Sequence, residues 1–461
     1  MRLLKKLQLF LRPAKIFHDR ISELEEIDKV LQVAPGLDAV LELVLKDVNG
    51  GKESKTGRDG VTAEQIVKLG LLRKRHDMTY RELAVASGDS QSMRLFLNLP
   101  EGSGLSKSAI HGNLKAVKDT TWEKASECLV LHAKSEGFDG GEAVRGDTTT
   151  VETNIHYPTD ASLLCDSVRV LCRIMDAAQT ILGKEKVIFI DHRRRAKAKL
   201  FLINNTRGEG KQHPFYLELI RVTRETVTQA EAVIPILEEG YRSNDIFVAA
   251  KISKLLNQLK GFVPLAKQVV SQAYRRIVGK EKVPASEKIV SIFEEHTDII
   301  AKGARDVVFG HKVMLTTGVS GLVFTLSVLD GNPGDSTLVS ETLVDLQSLH
   351  GKAPVVVAFD GCFGSTANRD LAKAAGVEDL TFSKNGSMDL STLLSSPKIH
   401  GALRNFRAGI EGCISFLKRV FGFARVLDRS KETFSAALHM GAFAYNLTLI
   451  ARMSLAAKTT A

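Results

Sequence analysis

At 461 residues the chain is too long for one simple core, so two or three domains are expected. A hydrophobic content of 44% and a charged content of 25% describe an ordinary soluble globular protein, and the net charge of +10 favours a polyanionic partner, nucleic acid before membrane. The five cysteines are odd in number and form no CxxC pair, which argues against a disulfide framework or a structural zinc site and for a reducing compartment.

The chain begins MRLLKKLQLFLRP, which starts like a signal peptide. Its apolar stretch is short, however, is broken by Lys5, Lys6 and Gln8, and is followed by no small-residue cleavage site. No later segment reads as long and apolar enough to span a bilayer, so a cytoplasmic protein is expected. Ile21 to Val33 and Leu37 to Val48 carry apolar residues at helical spacing around Pro35-Gly36. Lys52 to Gly60 is a polar, glycine-bounded linker. Thr62 opens a helix with Glu64 and Gln65 near its first turn, and Thr79 to Glu82 has the spacing of a capping box. Leu105 to Val117 then forms a helix opened by Ser106 or Lys107, with Ser108, His111, Asn113, Lys115 and Lys118 on its polar side. Short helices ending in a basic, hydroxyl-rich one suit a helix-turn-helix with a major-groove recognition helix, and equally a generic bundle with a solvated face.

At Gly141 the character changes. Ala143 to Val151 is β-branched and carries Asp147 in its middle, a residue unfavourable in a strand of threonines unless it sits at an edge or coordinates something. Residues 161 to about 304 read as helical almost throughout, clearest over Ala161–Leu182, Phe215–Tyr241, Asn244–Leu259 and Val263–Ile277, with Pro235 a kink. Inside this block His192 to Lys199 concentrates five Lys or Arg charges, Arg193, Arg194 and Arg195 among them, without an acid; phosphate contact is preferred to a solvated face.

Strands return near residue 309. His311–Thr317 and Leu322–Leu329 flank a glycine-bounded hairpin loop, and Asp335 is placed to N-cap a helix running to about His350. Pro354 to Phe359 is a continuous apolar run suited to a strand buried on both faces, and it ends at Asp360. Asn368–Ala375 reads as a short helix, Asp379–Ser383 as a short strand, and Phe434–Met453 as a final amphipathic helix. Before it, Arg404 to Arg419 reads RNFRAGIEGCISFLKR. As a helix this puts Ile410, Ile414, Leu417 and Phe421 on a buried stripe, with Arg407, Glu411 and Lys418 on its flank. Alone, Arg407 and Glu411 would be an ordinary i, i+4 surface pair.

With the helical block set aside, the order from Ala143 is β-β-β-α-β-α-β-α, the element order of an RNase H-like domain. In such a sheet the first strand neighbours the fourth, and a carboxylate on the last helix completes a set with one from each: Asp147, Asp360 and Glu411. Three carboxylates suit two Mg2+ ions, with Mn2+ as a substitute, for in-line displacement at phosphorus. Mutual repulsion in the empty site should raise the affinity of the carboxylates for protons or metal.

The spacing R-x3-E-x6-K (Arg407, Glu411, Lys418) resembles the Tyr–Arg–Glu–Lys signature of bacterial DDE insertion-sequence transposases. GDTTTVETNIHYPTDASLL, EEHTDIIAKG, FGHKV, VLDGNPGDSTL, VAFDGCFGS and NFRAGIEGCISFLKRVFG are similar to blocks of that superfamily and stand in its order. The resemblance implies that Asp147, Asp360 and Glu411 bind the metals and that Arg407 and Lys418 contact DNA phosphates near the cut. The signature's tyrosine falls at Arg404, a departure, although an arginine there could still hold a phosphate. It implies metal-dependent cleavage and strand transfer at terminal inverted repeats, on double-stranded DNA, by a homodimer in a synaptic complex. A nuclease of the same fold, or a transposase-derived DNA-binding protein without catalysis, are the alternatives.

The expected architecture is therefore an RNase H-like mixed α/β domain (141–160 and 305–455) with a large all-α insertion (161–304) that embraces transposon-end DNA. A helical, helix-turn-helix-type DNA-binding region (1–140), with Lys107 and Lys115 as DNA contacts, precedes it. His156 and Tyr157 could order a metal ligand or the DNA backbone, or simply pack a corner. His311 and Lys312 are read either as DNA contacts or as a solvated strand end, and Cys362 and Cys413 as small-residue packing.

Overall fold

The computed structural model describes residues 18–51, 60–242, 245–301, 307–382 and 389–460. The signal-like start and the polar linker at 52–59 lie outside them. The chain divides into two compact units, one of Met1–Asn154 with Ile300–Ala461 and the other of Ile155–Ile299.

Among the described residues, seven helices open the first unit: α1 (His18–Val33), α2 (Leu37–Val48), α3 (Ala63–Arg75), α4 (Tyr80–Asp89), α5 (Gln91–Phe96), α6 (Lys107–Ala116) and α7 (Asp119–Ser135). Their starts follow local chemistry. Thr62 with Gln65 and Thr79 with Glu82 close complete capping boxes, and the Ser106 hydroxyl accepts from the Ala109 amide to start α6. Strand β1 (Ala143–Glu152) follows.

The second unit is helical: α8 (Asp160–Leu182), α9 (Arg193–Asn205), α10 (Glu209–Gly240) and α11 (Ile246–Ile277) close on their own apolar core. Two helices expected between 244 and 277 are one, because Leu255, Leu259, Val263, Ala266 and Val270 make an unbroken buried stripe through Gly261 and Pro264. Helix also stops earlier than 304: Asp298–Ala301 is a strand, β2.

The chain continues through β3 (Val307–Thr317), β4 (Val323–Val328), α12 (Val339–His350), β5 (Val356–Phe359), α13 (Thr366–Ala374), β6 (Asp379–Phe382), α14 (His400–Val420) and α15 (Lys431–Thr460). The six strands form one mixed sheet in the order β2-β3-β1-β5-β6, with β4 also on β3. β1 is antiparallel to β3 and parallel to β5, with Gly146 in register with Phe359. β5 in turn is parallel to β6. A Cβ at Gly146 would stand 2.4 Å from the Phe359 ring and 2.9 Å from the Met314 methyl, so the strand packs this closely because that residue has no side chain.

α15 is the axis of the first unit. By length and composition it could cross a membrane, contrary to expectation, but 89% of its apolar window is buried inside the protein. Every residue from Ala436 to Thr448 is buried, as in a core helix covered on all sides. It packs on α1, α3, α7 and β4, so the N-terminal helices and the sheet share one apolar core, and the boundary expected near residue 140 falls within a single unit.

Candidate active site

Register places the first two acids. Gly146 pairs with Phe359, so the next residue on each parallel strand, Asp147 and Asp360, stand side by side where β5 ends. α14 supplies the rest from across the sheet. It approaches β1 closely at Gly409, where a Cβ would lie 2.0 Å from the Arg145 guanidinium. Arg145 fastens the two elements together: its Nε donates to the Thr317 hydroxyl (2.9 Å) and its Nη1 to the Phe406 carbonyl (2.9 Å), one residue before Arg407.

Arg407 is the centre of the cluster. Its Nη2 lies 3.6 Å from Asp147 Oδ2 and 3.6 Å from Asp360 Oδ1, and its Nη1 lies 3.1 Å from Glu411 Oε1. One guanidinium thus touches all three predicted carboxylates. The i, i+4 pair with Glu411 is real but is a fraction of what Arg407 does. The Arg407 side chain is 15% exposed and Glu411 64%, so the cluster grades from a covered floor to an open rim. Arg407 Nε is buried without a hydrogen-bond partner.

The Asp147 carboxyl is pushed above its usual range, first by burial and then by the neighbouring Asp360 and Asp335; the Thr148 amide, donating at 2.7 Å, and Arg407 pull the other way. Burial, more than the expected mutual repulsion, is the leading cause, because Arg407 offsets part of that repulsion. The donor set, three carboxylates and nothing softer, is the kind a hard divalent cation takes. Among the described residues no three His, Cys, Asp or Glu side chains are gathered so as to hold one ion; the cation gathered here is Arg407.

A fourth acid adjoins the site. Asp335 does not cap a long helix as expected. It opens a single 3-10 turn (Asp335–Thr337), and α12 begins at Val339. Its carboxylate accepts instead from Lys312 Nζ (2.7 Å) and the Thr148 hydroxyl (3.0 Å), because an ammonium is a stronger partner than an exposed backbone amide. Lys312 and His311, read as solvated or DNA-facing, are both buried: Lys312 holds Asp335 and the Pro333 carbonyl, and His311 packs edge-on to Phe434. Asp335 and Arg145 were legible in part, since each lies near a predicted strand end, but no local spacing announced their partners 187 and 261 residues away.

Of the remaining predicted residues, Arg404 is exposed one turn before Arg407, and Lys418 is partly buried two turns beyond Glu411 on the same helix. Lys107 and Lys115 lie on α6 and are exposed. Arg193 and Arg195, in the second unit, are not an uncompensated run: Arg193 is paired with Asp176 and Asp191, and Arg195 with Glu218. Arg194 between them is exposed. His156, also in the second unit, is 3.5 Å from Asp166, and Tyr157 is 75% exposed. Cys413 is buried beside the Tyr445 hydroxyl, and Cys362 is exposed; both are free thiols.

No curated protein and no solved structure matches the chain. Residues 295–447 match the family model described as the transposase DDE domain. Asp360, Arg407 and Glu411 fall inside the matched stretch, and Asp147 reaches them from ahead of it. Over residues 295–447, the chain is similar to a transposase DDE domain.

Proposed function

We propose that the protein binds the terminal inverted repeats of an insertion sequence, cuts a phosphodiester there and joins the freed end to target DNA, with Asp147, Asp360 and Glu411 as the catalytic carboxylates of an RNase H-like fold. The observation that carries this reading is the convergence of those three acids on one guanidinium, from β1, from the end of β5 and from α14. Asp147, Asp360 and Glu411 would hold two Mg2+ ions, whose chemistry when bound is to activate the attacking oxygen and stabilise the leaving one. Arg407, with an orphan Nε and a position among the acids, is suited to take over a DNA phosphate as the carboxylates turn to metal. Lys418 and Arg404 extend that cationic edge along α14. The N-terminal helices of the first unit lie against DNA, with Lys107 and Lys115 of α6 as contacts. In the helical unit Arg194 and Lys197 are exposed members of the basic run suited to phosphate; Arg193 and Arg195 are engaged by carboxylates. Joining two ends in concert calls for a homodimeric synaptic complex.

A strand-transfer assay with Mg2+ and end-containing duplexes tests it. Joined products are expected from the wild type. The Glu411→Gln variant should bind ends normally and lose cleavage by at least about a hundredfold, the scale of losing a group that stabilises the transition state. Normal cutting by that variant would overturn the site assignment, and cleavage without joining would make the protein a nuclease.

A further inference from the structure

The first unit has a second cationic feature, away from the carboxylates. Lys107, His111 and Lys115 follow one another at i, i+4 and i+8, so they form a straight stripe about 12 Å long on one face of α6. This stripe, with Ser108, lines one wall of a groove of about 530 Å3, and Leu427, Arg429 and Thr433 line the other. The groove also contains an acid, Asp428, which is already engaged: it accepts from the Tyr80 hydroxyl (2.9 Å) and Arg73 Nη2 (3.0 Å). The groove therefore presents cations and hydroxyl donors, with its carboxylate compensated from behind.

We propose that this groove seats the sugar–phosphate backbone of duplex DNA, so that Lys107 and Lys115 hold phosphates rather than read bases; the proposal rests on the reading of the chain as a DNA-acting transposase. Three features select backbone over base. Lys107 and Lys115 stand about 12 Å apart along one line of α6, too far for both to close on one small anion but within reach of successive phosphates of an extended polyanion. Splayed bases need a bare aromatic face, and the Tyr80 ring is already used: His111 packs edge-on to it at 4.8 Å and the Arg73 guanidinium lies 4.1 Å from its centroid. Finally, the Leu427–Thr433 wall stands across from the very face of α6 that carries the lysines, whereas a recognition helix has to enter the major groove with that face clear.

The groove is also rigidly indexed to the active site. The segment leading into it is pinned to the end of β1, where the Glu152 amide donates to Ala424 O (3.1 Å) and the Val426 amide to Glu152 O (2.9 Å). Glu152 is five residues along the strand from Asp147, about 17 Å at strand rise.

Backbone seating is independent of sequence, so a mixed-sequence duplex of about thirty base pairs, followed by fluorescence anisotropy across a NaCl series, is a sufficient probe of the full chain. For Lys107→Ala/Lys115→Ala, two exposed positions, the slope of log affinity against log salt should fall by about 1.8, or about 0.9 for each phosphate no longer neutralised. Affinity at low salt should drop about tenfold or more, with an unchanged melting temperature. Wild-type slope and affinity in the double variant, beside a wild type that binds duplex well, would overturn the groove and leave the transposase reading standing. A wild type that binds no duplex would overturn both. Equal or greater weakening on a single strand of the same length would overturn the duplex assignment.

Discussion

Arg407 Nη2 stands 3.6 Å from Asp147 Oδ2 in a site whose acids come from three separate elements. That contact makes the arginine the counter-ion of the resting carboxylate cluster, and with its links to Asp360 and Glu411 it defines what the cluster can bind next. A cation entering among the acids meets a positive charge already there.

The first prediction concerns that competition. Arg407→Ala should bind Mn2+ or Ca2+ without DNA more tightly than the wild type, by about tenfold, a discounted share of the roughly 4 kcal/mol between unit charges 4 Å apart near a surface. In chelator it should melt lower, because three carboxylates are left facing one another. Isothermal titration calorimetry and thermal melting, with and without chelator, read the two effects. Unchanged affinity in Arg407→Ala would show that the guanidinium and the ion do not compete.

The second concerns Lys312 and Asp335. Lys312 is 11% exposed at its side chain, so Asp335→Ala leaves a nearly buried ammonium with only the Pro333 carbonyl, at a cost of about 3 kcal/mol. Lys312→Met combined with Asp335→Ala should recover much of that loss, since neither charge then needs a partner. Urea denaturation of the two single variants and the double variant gives the coupling directly.

Gly146 provides a third. Adding a methyl there drives it against the Phe359 ring at 2.4 Å, at the pair of residues that sets the Asp147–Asp360 spacing. Gly146→Ala should lose about 1–3 kcal/mol in a denaturant titration, the usual cost of overpacking. Phe359→Leu in the same chain should return part of it.

The fourth is a pH dependence. Burial inside α15 pulls the His439 imidazole down to about 4, against 6.5 when unfolded. Between those values the unfolded chain binds the extra proton. Stability is therefore full above about pH 6.5 and is lost as pH falls toward 4, by about 3 kcal/mol in all at 1.36 kcal/mol per pKa unit. His439→Leu should flatten this part of the profile, as read from urea midpoints at a series of pH values.

How far the sequence alone determined this protein follows from the range of each signal. Capping boxes at Thr62 and Thr79, the hairpin glycines after Thr317, the apolar run into Asp360 and the stripe on α14 are all written within a few residues, because backbone hydrogen bonding and side-chain periodicity act over one or two turns. Those local signals, taken in order, were enough to single out Asp147, Asp360 and Glu411. What they could not carry was any contact whose partner lies hundreds of residues away. That α15, long and apolar enough to cross a membrane, lies instead in the core depends on α1, α3, α7 and β4 closing around it. That Asp335 abandons a helix cap for Lys312, and that Arg193 and Arg195 are neutralised by Asp176, Asp191 and Glu218, depend on where other elements bring opposite charge. Arg407 shows both limits at once: its partner four residues on was plain from helical spacing, while its two contacts with Asp147 and Asp360 exist only because sheet register sets those strands side by side and Gly409 lets α14 settle against Arg145. Charge and packing act through space, and only the closed fold decides which residues share that space.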